Sequence, residues 1–156
     1  MSHTPTNHPL RPLYRVLAGL TGLYVLAFGI VGVIEAAGTD LFGNPSVHAL
    51  GLRTNMAFAI LSVITGVVVL GVTVIGRNMD YLVNQWAGYG FLGVGLIMLA
   101  LLQTDLNILN FSIATCIVSF VIGLLLLTAA LYSKVGSDDD VAAERAFAQR
   151  RSHARG

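Results

Sequence analysis

Few residues in this chain have the type and setting that chemistry requires, and those few stand singly rather than in constellations. Glu35 is the one ionisable side chain read at membrane depth, near the far end of a long apolar run. A carboxylate there is costly and is by default a functional candidate, in a proton relay or an ion pathway. It lies within about one turn of the end of the run, where water or headgroups can solvate it. Arg53, just ahead of the next apolar run, supplies the opposite charge. The expected arrangement is an outer Glu35–Arg53 ion pair, with a small transporter or channel using Glu35 as an alternative.

His48 stands alone in the first connection, and no apolar run contains a histidine. Haem or metal held in a bundle needs inward-facing ligands from more than one helix, so His48 reads as a loop residue. His3, His8 and His153 fall in polar tails and read as solvated. Cys116 is the only cysteine, so it cannot form an intramolecular disulfide. With no base near it, it reads as a small packing hydrophobe. The spacing Gly88-x-Gly90-x-x-Gly93 matches a dinucleotide fingerprint but lies in an apolar run with no βαβ setting. No phosphate loop, GxSxG elbow or HExxH pair occurs. The expectation is a chain that is not an enzyme and holds no catalytic, cofactor or metal site.

The elements that would position such residues are plain from composition. Of 156 residues, 55% are hydrophobic and 11% charged, against about 25% charged in a soluble domain. The net charge of +1 suggests no nucleic-acid partner. About 20 apolar residues cross the hydrocarbon core as a helix. Four stretches qualify, at about 16–37, 56–76, 81–102 and 111–132, joined by turn-rich connections such as Gly43-Asn44-Pro45 and 107–110. The first is too long for a signal peptide core, and no convincing cleavage site follows it. The expected fold is an all-α, integral membrane four-helix bundle. A tail over 1–15 precedes the 16–132 bundle, and a polar tail over 133–156 follows. Acidic Asp138, Asp139 and Asp140 ahead of 141–149, with Arg150 and Arg151 behind, suit a short terminal helix.

Lysines and arginines orient the bundle. Arg11, Arg15, Arg77, Lys134, Arg145, Arg150, Arg151 and Arg155 share one side, and Arg53 stands alone on the other. Both termini are therefore expected in the cytoplasm of a cell-membrane protein.

Apolar burial gains little in lipid, and close backbone approach through small residues takes its place. Ala18, Gly22, Gly29, Gly32 and Ala36 form one stripe on the first span; Ser62 and Gly66 mark the second, and Ser119 and Gly123 the fourth. The third span differs, because its glycines at 88, 90, 93 and 95 point several ways. Such a helix is either crowded within its own bundle or packs on a second protein with its outer face. The two halves also share landmarks: Thr39-Asp40-Leu41 with Thr104-Asp105-Leu106, and Ser62 to Gly66 with Ser119 to Gly123, which suggests a parallel duplication with a loop deletion.

The entry Leu13-Tyr14-Arg15-Val16-Leu17-Ala18-Gly19, the run Leu41-Phe42-Gly43-Asn44-Pro45 with His48, and the four-span layout resemble a family of small four-helix actinobacterial membrane proteins of unknown function. The likeness covers roughly residues 12–133. Members often carry further histidines after the Asn-Pro turn and before the last span, whereas this chain keeps only His48. Proteins of this appearance also occur as accessory subunits of the cytochrome bc–aa3 respiratory supercomplex. The resemblance thus implies a non-catalytic subunit packed on other integral membrane subunits and lipid. A stand-alone membrane sensor or chaperone is the remaining alternative.

Overall fold

The long apolar runs, free of proline inside, become four helices in the computed structural model, which describes residues 9–76, 78–136, 142 and 149. They are α1 (Arg11–Glu35), α2 (Met56–Ile75), α3 (Met79–Leu101) and α4 (Ile113–Ser133), with a two-residue ladder of β1 (His48–Ala49) and β2 (Leu52–Arg53) between α1 and α2. The shortest has 20 residues, which at about 1.5 Å per residue matches a hydrocarbon core of about 30 Å. All four are long and apolar enough to cross a membrane. The chain is a four-helix bundle with the architecture of a multi-pass membrane protein.

α1 begins at Arg11, ahead of the boundary at 16 set by hydropathy, with Pro12 in its first turn, where a missing N–H costs nothing. The N-terminal tail before residue 9 and His3, His8 and His153 lie outside the described residues. Of the expected terminal helix over 141–149, Ala142 is described and helical, as is Gln149, and the rest lies outside.

Local chemistry sets the helix ends. Asn55 caps α2, its side-chain oxygen accepting from Phe58 N, and Ser112 caps α4 by accepting from Thr115 N. The two Thr-Asp-Leu triplets act alike: Thr39 turns its hydroxyl and its N–H back on Ala36 O, and Thr104 does the same on Leu101 O. Between β1 and β2, Leu50 and Gly51 both hold positive φ (49° and 83°), the primed turn that suits a two-residue hairpin.

The helices follow one another round the bundle. α1 packs closely on α2 and α3 on α4; α4 closes on α1, and the α2–α3 seam is the thinnest. Near the loop end the core gathers Phe28, Phe58 and Phe111, with Phe58 centred 5.3 Å from Phe28 and 4.5 Å from Phe111. Val25, Val69, Ile122 and Leu126 fill the end near the chain termini.

Close approach inside each hairpin depends on glycine. A Cβ on Gly29 would stand 2.5 Å from Val63 N, and one on Gly66 2.6 Å from Leu26 N. In the other hairpin, a Cβ on Gly123 would stand 2.8 Å from Leu92, and one on Gly88 2.7 Å from Leu127. The two hairpins share a register. A shift of 66 carries Gly22, Leu26 and Gly29 onto Gly88, Leu92 and Gly95, and a shift of 57 carries Asn55, Val63, Gly66 and Leu70 onto Ser112, Phe120, Gly123 and Leu127. Each glycine meets the equivalent neighbour: Gly22 meets Leu70 and Gly88 meets Leu127; Gly29 meets Val63 and Gly95 meets Phe120. The nine residues by which the shifts differ are missing from the second connection, which has no counterpart of the β ladder.

Candidate functional site

At the end of the bundle near the chain termini, two arginines converge on one carboxylate. Arg11 and Arg15 lie one turn apart on α1, and Asp80 and Asn84 one turn apart on α3, so each pair shares a helix face. Asp80 is 1% exposed, and its Oδ2 lies 3.5 Å from Arg11 Nη2 and 3.6 Å from Arg15 Nε. The arginines also donate to backbone: Arg11 Nε to Ser133 O at 2.9 Å, and Arg15 Nη2 to Thr73 O. One cluster thus joins all four helices. Tyr14 stacks on Tyr132 beside it, at 4.4 Å between ring centres. Asn78 clamps the chain after α4, donating to Val135 O and accepting from Val135 N. Asp80 Oδ2, Arg15 Nε and Asn84 Oδ1 are buried without a hydrogen bond, so charge rather than hydrogen bonding holds the centre.

Asp80 is thus a buried carboxylate that the sequence reading, centred on Glu35, did not single out. Hydropathy starts the third span at residue 81 and leaves Asp80 in a polar turn. The matching one-turn spacings, Arg11 with Arg15 and Asp80 with Asn84, were the available signal.

The loop end is built on asparagine. Asn55 donates to Gly43 O and Ile108 O; Asn110 donates to Pro45 O and Thr54 O; Asn107 both donates to and accepts from the backbone of Phe111. These buried amides stitch the two connections together, with their polar groups satisfied. Arg53 joins them by donating to Asn110 Oδ1 at 2.7 Å. The expected Glu35–Arg53 ion pair is not formed. Glu35 is the exposed last residue of α1, and the ion pairs among the described residues are those of Asp80. His48 is exposed, its Nδ1 3.2 Å from Ser46 O. Cys116 is fully buried in the core near Phe111. Among the described residues no three His, Cys, Asp or Glu side chains are grouped to hold a metal.

The small-residue stripes lie between helices: Ala18, Gly22, Gly29, Gly32, Ala36, Ser62, Gly66, Ser119 and Gly123 are all buried. α3 divides its glycines. Gly88 and Gly95 face α4, while a Cβ on Gly90 or Gly93 would meet nothing within 4 Å. α3 is also the least covered helix, with 22% of its apolar stretch buried against 44% for α4. Trp86 and Tyr89 stand exposed beside these glycines, edge to face at 6.4 Å. Between α2 and α3 a cleft of about 210 Å³ opens sideways, lined by Phe58, Leu61, Thr65, Gly90, Phe91 and Val94 among others.

Comparison with known protein families, with curated proteins and with solved structures gives no match.

Proposed function

We propose that this protein is a non-catalytic accessory subunit that docks sideways, through the outer face of α3, on a larger complex of the cell membrane. The observation that carries the reading is the open pair Gly90 and Gly93 on the least covered span. A glycine facing lipid forgoes the dispersion contacts a larger side chain would make. Its use in a bilayer is to let another helix approach closely. Trp86 and Tyr89 flank the pair with the aromatic area that interfaces favour. The resemblance of residues 12–133 makes a respiratory oxidase assembly of the bc–aa3 kind the leading partner. The charge bias supports a cytoplasmic placing of both termini; in that orientation the Arg11–Arg15–Asp80 cluster lies at the inner membrane face and the asparagine cap at the outer one.

Purification of the tagged chain in mild detergent, followed by mass spectrometry, tests the docking. Stoichiometric recovery of larger membrane subunits is the expected result, and recovery as a lone monomer or homo-oligomer defeats it. Orientation is tested by cysteine labelling in cells, because native Cys116 is buried. A membrane-impermeant maleimide should label Ser46→Cys and leave Asn78→Cys unmodified until the membrane is opened.

A further inference from the structure

The shared register of the two hairpins provides an internal comparison for the cleft. The shifts that superpose glycine on glycine also carry the α1–α4 seam onto the α2–α3 seam. Tyr24, Phe28 and Ile122 of the first correspond to Gly90, Val94 and Thr65 of the second. On the α1–α4 side Tyr24, Phe28 and Ile122 close on a void of only about 10 Å³, which Phe58 and Phe91 border from the opposite side of the bundle. The α2–α3 side keeps about 210 Å³. Some bulk is regained toward the bundle axis, since Phe58 and Phe91 stand where the other seam has Thr115 and Val25. The loss falls on the lipid-facing side. Tyr24, 38% exposed, bridges interior and lipid in one seam, and its counterpart in the other is Gly90, with no side chain at all.

We propose that the α2–α3 cleft receives an aromatic side chain from a transmembrane helix of the partner, in the place that Tyr24 fills in the other seam. The volume exceeds the roughly 150 Å³ known to admit a benzene ring. Phe58, Phe91 and Phe111 line the cleft and offer ring edges and faces to an entering ring. Thr65 lines it too, with a hydroxyl that can pair with a phenol. The occupant comes from a helix because the cleft opens sideways beside the open Gly93, where a second backbone can approach. This inference rests on the docking reading and adds where the partner inserts and with what.

The test uses the full chain in its native membrane. Gly90→Tyr installs the residue of the α1–α4 seam in open space, and Thr65→Ile supplies a second, gentler filling. Each is expected to cut co-purification of the partner at least tenfold, while Gly71→Tyr, at an open position on α2 away from the cleft, leaves it unchanged. A photo-crosslinking residue at Leu61 should form its adduct on a Tyr, Phe or Trp within a membrane span of that partner. Wild type recovered alone overturns both the docking and the cleft assignment. Partner retained equally by wild type, Gly90→Tyr and Thr65→Ile overturns the cleft assignment and leaves the docking standing. An adduct on lipid, or on a second copy of this chain, also overturns it.

Discussion

Asp80 is a carboxylate with two guanidinium neighbours and no hydrogen bond on the oxygen that faces them. Removing its charge leaves Arg11 and Arg15 facing each other without a counter-ion. Breaking a fully buried pair costs about 3–5 kcal/mol, but these arginines are a quarter to a third exposed, which lowers the cost to about 1–3 kcal/mol. Asp80→Asn should therefore lower the unfolding midpoint in detergent, and a lesser loss in the Arg11→Met/Arg15→Met background would show the coupling. Opposite behaviour is expected at Glu35. It is exposed and Arg53 is engaged elsewhere, so Glu35→Gln should change stability by less than about 0.5 kcal/mol. Asn110→Ala should cost about 1–3 kcal/mol, because it strands Arg53 and two backbone carbonyls; chemical denaturation of the three variants side by side would rank them. At this scale the sequence was hard to read. Opposite charge and nearness along the chain favoured Glu35 for Arg53, while the true partner, Asn110, is 57 residues away.

Among the elements, the helices were legible because twenty apolar residues in a row have one stable arrangement in lipid. Their ends were less so. α1 starts earlier than hydropathy indicates, with its two arginines held by groups on α2, α3 and α4. The stripes of small residues were readable from spacing alone, but which glycines of α3 are used was not: that depends on where α4 lies. The division predicts a contrast. Gly29→Ala drives a methyl against backbone and should destabilise by about 1–3 kcal/mol. Gly93→Ala meets nothing and should be neutral or stabilising by up to about 1 kcal/mol, through helix propensity. Thermal unfolding of both in one detergent would decide it; equal losses would mean that the α3 face is covered.

For the whole molecule, each helical hairpin is closely packed within itself, while its link to the other depends on one fuller seam, one thin seam, the asparagine network between the connections and the charged cluster. Two separately expressed pieces, 1–76 and 77–156, should therefore reassemble and co-purify. Asp80→Asn in the second piece should weaken that recovery several-fold, because the carboxylate then no longer crosses between them. Failure of the unmodified pieces to associate would show that the connecting turn, with Gly76 at φ 68° and Asn78 at φ 66°, is required to hold the halves together. The matching registers have a further consequence, in evolutionary terms. A two-helix unit that pairs with an identical copy must satisfy both seams with the same residues, so neither can change alone. Once both copies occupy one chain, that constraint lapses. One seam can keep its tyrosine and hold the bundle, and the other becomes free to specialise.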